Sequence, residues 1–258
     1  MDLRLQDKIT LVAGSSRGIG FLIAKAFRSE GARVAVTGRY NEALCEAANL
    51  LAAEFGHEGV LACPGDLTDS TVITNTLERI HSTWGTIDCL VANIGTGTGR
   101  TGWELRDEDW DDLFTQNLAV NRRVCEAVLP EMVAVGRGSI IFISSIAGVE
   151  SLSAPLPYSA AKAALISYSK NLARQLGPKG IRVNSVAPGN VLFPGGSWEK
   201  KLAERPEFFR NYIETEVPLQ RFGTPEEIAS VVAFLSSDRA SFITGACMVA
   251  DGGQTRSY

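Results

Sequence analysis

Short apolar runs and longer amphipathic stretches alternate along the chain from one end to the other. Residues 9–13, 33–37, 59–63, 87–92, 139–143, 181–186 and 247–250 are rich in Val, Ile and other apolar residues, and each predicts a buried strand. Between them, helical spacing of apolar positions predicts helices over 19–29, 41–55, 70–84, about 107–133, 158–176 and 225–235. Strands apolar on both faces, each followed by a helix, predict a parallel sheet covered on both sides. Right-handed crossovers then make it doubly wound. The expectation is one α/β domain over residues 1–258, without repeat or linker. One segment, 190–222, breaks the rhythm. It mixes Phe193, Pro194, Gly195, Gly196, Trp198, Phe208, Phe209 and Tyr212 with many charges. An insertion of this length predicts a lid over the strand ends, with a subunit contact as the alternative.

Composition narrows the classes. The 258 residues are 45% hydrophobic and 21% charged, ordinary for a soluble globular protein. A net charge of −4 argues against a nucleic-acid partner. No apolar run reaches the roughly 18 residues of a membrane span, and the charged N-terminus lacks a signal-peptide pattern. Cysteines 45, 63, 89, 125 and 247 are scattered without C-x-x-C spacing, which suits reduced thiols in a cytoplasm. His57 and His81 have no spaced partners, so no metal site is expected.

The chemistry is concentrated in three places. The first strand opens into Gly14-Ser15-Ser16-Arg17-Gly18-Ile19-Gly20 and then a helix. Glycines there allow a tight turn and let backbone approach a pyrophosphate held on the helix N-terminus. The second strand ends in Arg39 where an NAD site usually carries an acid. With Arg17, it offers guanidinium forks suited to a 2′-phosphate, so NADP(H) is favoured over NAD(H). Solvated surface arginines are the alternative reading. Third, Tyr158 and Lys162 lie four residues apart, on one helix face. A nearby positive charge lowers a phenol pKa towards working range.

These residues together resemble the short-chain dehydrogenase/reductase family over nearly the whole chain. The carriers are Ala13 to Gly20, Asp66 in Gly65-Asp66-Leu67, Ala92-Asn93-Ile94-Gly95, Asn117, the Ser145/Tyr158/Lys162 set, Pro188-Gly189 and Val249 to Gly253. Among members, the sequence looks most like the branch containing 3-oxoacyl-(acyl carrier protein) reductases, glucose dehydrogenases and many sugar or polyol dehydrogenases. The resemblance implies a Rossmann-like fold of about seven strands and interconversion of a ketone with a secondary alcohol by hydride transfer. Tyr158 would be the general acid/base, Lys162 would lower its pKa and bind the nicotinamide ribose, Ser145 would orient the substrate oxygen, and Asn117 would hold a relay water. Ser144 competes with Ser145, and family spacing selects Ser145. By the same resemblance Gly14, Ser16, Arg17, Gly18, Ile19 and Gly20 would cradle the pyrophosphate, with Arg39 at the adenosine. Asp66 and Leu67 would meet the adenine, Asn93 and Gly95 its ribose, and Pro188, Gly189 and Val191 the nicotinamide. Family habit also implies a homotetramer.

Departures are local. Ala13 replaces the usual Thr, Ala92 a frequent Asn, Ile94 an Ala, and Phe193 stands where a Thr commonly meets the carboxamide. A catalytically silent dinucleotide-binding scaffold remains the alternative. An isomerase or lyase using the same pair would resemble longer chains with a C-terminal substrate domain. On the substrate, Trp103, Phe193, Trp198, Phe208 and Phe209 suggest an apolar pocket wall, whereas Thr96 and Thr98 suit a sugar or polyol.

Overall fold

The computed structural model describes residues 2–257. Seven parallel strands form one sheet in the order β3-β2-β1-β4-β5-β6-β7. They are β1 (Ile9–Ala13), β2 (Arg33–Gly38), β3 (Val60–Pro64), β4 (Cys89–Ala92), β5 (Gly138–Ile143), β6 (Ile181–Pro188) and β7 (Cys247–Ala250). The covering helices are α1 (Gly18–Ser29), α2 (Asn41–Phe55), α3 (Ser70–Thr83), α4 (Asp107–Phe114), α5 (Val120–Val135), α6 (Leu156–Leu176) and α9 (Pro225–Ser236). Two further helices, α7 (Ser197–Glu204) and α8 (Pro206–Glu216), fill the segment between β6 and α9.

Successive side chains of a strand point to opposite faces, and the core divides accordingly. Ile9, Leu11 and Ala13 of β1 join Leu77, Ile80, Val124 and Leu165 on one side of the sheet. Val12 joins Ile23, Phe27, Leu44, Leu51, Val232 and Leu235 on the other. Strands buried on both faces carry no alternation, which is why the sequence displayed them as continuous apolar runs.

The chain runs outward through β2 and β3, then returns across β1 to β4. That reversal opens a crevice beyond the carboxyl ends of β1 and β4, the place where doubly wound sheets take ligands. The turns after β1 and β4 line it. One predicted element differs in kind. The helix expected over 107–133 is interrupted by a π-helical turn at Thr115–Ala119, between α4 and α5. Its centre is Asn117, which is fully buried. Among the described residues, no helix is long and apolar enough to cross a membrane.

Candidate active site

The loop after β1 is fixed by backbone and hydroxyl contacts. The Gly14 amide donates to Thr37 Oγ1 (2.9 Å) and the Ser15 amide to the Thr37 carbonyl (2.9 Å). The Thr37 amide donates to Ser15 Oγ (2.9 Å), which itself donates to the Val12 carbonyl (2.6 Å). Ser15 and Thr37 thus tie down a loop that lacks a hydroxyl at Ala13. Asn93 Nδ2 donates to the Gly14 carbonyl (2.9 Å), joining the turn after β4 to the same loop. A β-carbon on Gly20 would run into that carbonyl and lie 2.6 Å from Asn93 Nδ2, so only glycine permits the approach. Arg17, at the N-cap of α1, makes no side-chain cap. The first-turn amides of α1 are therefore free to meet an anion.

A cleft of about 530 Å³ extends from this loop, within the range of cofactor sites. Gly14, Ser16, Arg17, Ile19, Gly20, Arg39, Asp66, Leu67, Asn93 and Gly95 all line it. Asp66 also accepts the Thr68 amide (3.0 Å), closing the turn after β3. Gly18 lies beneath the Phe193 ring, whose nearest carbon is 2.5 Å from the position of a β-carbon there. Pro188 ends β6, and Gly189 follows it against Asp251. The side chain of Val191 is buried among apolar residues and lines a second cavity of about 210 Å³. Val191 pairs with Gly223 through backbone, and that pairing turns its side chain inward. Uncapped helix amides, a glycine cradle and two lining arginines fit the phosphates of a nicotinamide dinucleotide.

The turn after β4 joins the cleft to the Tyr158/Lys162 helix. Gly95 and Gly97 line the cleft. A β-carbon on Gly95 would lie 2.6 Å from Asn117 Oδ1 and 3.1 Å from Lys162 Nζ, and one on Gly97 would lie 3.8 Å from the Tyr158 ring. Asn117 holds this turn from behind: Thr96 N donates to its Oδ1 (3.1 Å), and its Nδ2 donates to the carbonyls of Thr96 (3.1 Å) and Leu113 (3.0 Å). The π turn carries Asn117 out of ordinary helical register for these contacts. Asn121, one turn later, repeats the arrangement on Ile94 through its Oδ1 (3.2 Å) and Nδ2 (2.7 Å). Asn121 was not singled out from sequence, although its four-residue spacing from Asn117 places both on one face.

Lys162 is buried and its Nζ donates to the Ile143 carbonyl (2.9 Å). Burial pulls its ammonium down to about 8. Its Nζ is 5.8 Å from the centre of the Tyr158 ring. The phenol of Tyr158 is pushed up by burial, and the neighbouring Ser145 hydroxyl pulls the other way. This corrects the expectation that Lys162 sets the direction. At Tyr158 desolvation outweighs the Ser145 hydrogen bond and favours the protonated phenol. The two serines differ sharply. Ser144 is buried with its hydroxyl donated to the Lys162 carbonyl (2.9 Å), whereas Ser145 is only partly buried and accepts the Ala147 amide (3.1 Å).

The aromatics between β6 and α9 pack on one another. Trp198 meets Phe209 edge-on (5.6 Å), stacks on Tyr212 (5.9 Å) and contacts Phe222 (5.4 Å), and Phe208 meets Phe209 (5.0 Å). Of the five aromatics expected to wall a pocket, Phe193 alone lines the cleft, and Trp103 is largely exposed. Thr96, Thr98 and Gln116 line it as well. Tyr212 is anchored by Gln254 Nε2 (2.7 Å), and Gln254 Oε1 accepts Asn190 Nδ2 (2.7 Å). Among the described residues, no group of three or more His, Cys, Asp or Glu gathers as a metal site.

A dinucleotide-shaped cleft abutting a Ser/Tyr/Lys set defines an NAD(P)-dependent oxidoreductase. The model of a family described as enoyl-(acyl carrier protein) reductase matches residues 13–255, and the chain belongs to the short-chain dehydrogenase/reductase family. It is 37% identical to 3-oxoacyl-(acyl-carrier-protein) reductase FabG of Chlamydia muridarum, over 98% of this chain and 99% of that one. It is 34% identical to D-threitol dehydrogenase of Mycolicibacterium smegmatis, over 98% and 95%. The crystal structure of L-sorbose reductase from Gluconobacter frateurii, complexed with NADPH and L-sorbose, superposes over both full chains with a TM-score of 0.93 at 33% identity.

Proposed function

We propose that this protein interconverts a ketone and a secondary alcohol with NADP(H) as redox partner, using Tyr158 as the general acid/base. One observation carries the reading. The Gly95–Gly97 turn lines the dinucleotide cleft and rests against Asn117, Lys162 and Tyr158, so a cofactor in the cleft and a proton donor on α6 meet at one wall.

When bound, the nicotinamide supplies a hydride to the carbonyl carbon. The protein supplies the rest. Tyr158 Oη gives its proton to the carbonyl oxygen, which balances the hydride and leaves a neutral alcohol. The Ser145 hydroxyl donates to the same oxygen and sets its orientation. Lys162 stabilises the phenolate left behind. Asn117 keeps the Gly95–Thr96 wall against Lys162, and a relay water near it would return a proton to Tyr158. In the reverse direction each transfer is reversed.

Arg17 and Arg39 at the adenosine end, with no carboxylate closing β2, favour the 2′-phosphate of NADP(H). The NADPH complex of the sorbose reductase agrees with that choice. Thr96, Thr98 and Gln116 on the cleft favour a hydroxylated carbonyl compound, as the names threitol dehydrogenase and sorbose reductase suggest. The reductase FabG keeps 3-oxoacyl thioesters in view. Five free thiols suit a reducing cytoplasm. A homotetramer built around α6 is part of the reading, and a sedimentation mass near the chain's 27.7 kDa would remove it.

Absorbance at 340 nm with NADPH, read across ketoses, simple ketones and 3-oxoacyl thioesters, tests the proposal. Decay with at least one class is expected, most rapidly with ketoses. Tight NADPH binding with no decay in any class would place the protein among silent dinucleotide-binding scaffolds instead.

A further inference from the structure

Two consecutive lysines on the lid helix α7 have different surroundings. Lys201 Nζ lies 4.2 Å over the Trp198 ring, fastened to the aromatic cluster. Lys200 instead lines the dinucleotide cleft and is exposed. Among the described residues no carboxylate pairs with Lys200. The neighbouring acid Glu199 is occupied, accepting the Gly195 amide (2.8 Å).

The lid loop leading into α7 is seated on the phosphate-binding loop. Phe193 covers Gly18, and a β-carbon on Gly195 would lie 3.4 Å from the Arg17 guanidinium. Lys200 follows one helical turn after Gly196, whose carbonyl accepts the Lys200 amide (3.5 Å). The cleft is therefore faced by Arg17 and Arg39 from the sheet side and by Lys200 from the lid. Asp66 is the one carboxylate among its lining residues. Converging cations without acidic partners form an anion site, and they repel one another until an anion arrives.

Resting on the dinucleotide reading above, we propose that Lys200 is a cofactor-binding residue delivered by the lid, contacting a phosphate of the bound dinucleotide. Lysine suits this position. Its ammonium is a point charge on a flexible stem and reaches phosphate from a range of lid positions, where an arginine fork would demand one geometry. Cofactor affinity is then linked to lid position through a charge that the glycine loop itself does not contain. Two phosphate groups are in reach of the argument, the 2′-phosphate and the pyrophosphate, and they separate by experiment.

Calorimetric titration of NADPH and of NADH into the full-length protein, its Lys200→Ala variant and a remote Lys179→Ala control provides the test. Lys200→Ala should weaken NADPH about tenfold, the size of a charge-assisted contact, and Lys179→Ala should leave it unchanged. A loss confined to NADPH assigns the 2′-phosphate, and an equal loss for both dinucleotides assigns the pyrophosphate. Either outcome supports the role. Wild-type affinity of Lys200→Ala for both dinucleotides would overturn it while leaving the oxidoreductase reading intact. Failure of the wild type to bind either dinucleotide would overturn both.

Discussion

The two walls of the cleft are built from different materials. The sheet side, from the β1–α1 loop to the turn after β4, is held by main-chain groups and short hydroxyl and amide side chains. Thr37, Ser15 and Asn93 bind backbone atoms, and Asn117 and Asn121 do the same one layer behind. The side formed by the segment between β6 and α9 is held by large side chains that touch each other: the Trp198 cluster, the Tyr212–Gln254–Asn190 chain and an Arg256–Glu216 pair at 3.6 Å. A wall of backbone presents the same donors whatever the substrate. A wall of side chains changes with each substitution, so the first fits an invariant cofactor and the second, the proposed Lys200 contact apart, a variable substrate.

The sharpest way to break this contrast is Gly20→Ala. The added methyl group collides with backbone that is tied on three sides, costing about 3 kcal/mol at the upper end of overpacking penalties. Relieving the collision displaces the loop amides that would meet the pyrophosphate, and dinucleotide affinity should fall by about 100-fold. Calorimetry that found Gly20→Ala binding normally would show the loop to be far more yielding than its bonds imply.

A second, similar effect belongs to Lys162. Its folded-state value of about 8 lies below the 10.5 of an unperturbed lysine. Below pH 8 both folded and unfolded protein hold the proton, and the cost of the buried charge is fully present. Between pH 8 and 10.5 only the unfolded chain binds it, so stability rises with pH, by about 3 kcal/mol in all. Denaturant titrations of the dinucleotide-free protein should display this rise relative to Lys162→Met. A pH-independent difference between the two would remove the buried charge from the account.

Smaller still, Arg39→Ala with Arg17→Ala should lower the NADPH/NADH ratio of kcat/KM by about tenfold, as lost charge-assisted contacts do. An unchanged ratio would return both arginines to the solvated surface. On the lid, Tyr212→Phe removes one hydrogen bond to Gln254 and should cost about 1 kcal/mol in chemical denaturation. Dinucleotide affinity should stay near wild type. A loss of affinity as large as that of Gly20→Ala would erase the distinction between the walls.

The same division decides how much was legible in the sequence. Strands buried on both faces announce themselves as Val- and Ile-rich runs, and β1, β5 and β7 begin and end within a residue of their expected limits. The place of the glycine loop was legible because its conformation resides in backbone, which residue type constrains directly. Arg17, Arg39 and Asp66 followed, since the strand they leave fixes their place. The π turn at Asn117 was invisible, because one residue of extra winding leaves the apolar periodicity of residues 107–133 almost intact. The direction of the Tyr158 shift was misread for a related reason: spacing places Lys162 on the same face but says nothing of desolvation. Lid side chains point where tertiary packing sends them. Trp198, Phe208 and Phe209 therefore closed on each other.

The central claim is that the cleft and the Tyr158 phenol form one reaction centre. Tyr158→Phe tests it most directly, with dinucleotide affinity and turnover measured on the same preparation. The account predicts NADPH affinity within a few-fold of wild type and a fall in kcat of about 10²–10⁴-fold, the usual contribution of a general acid. Undiminished turnover by Tyr158→Phe would contradict it.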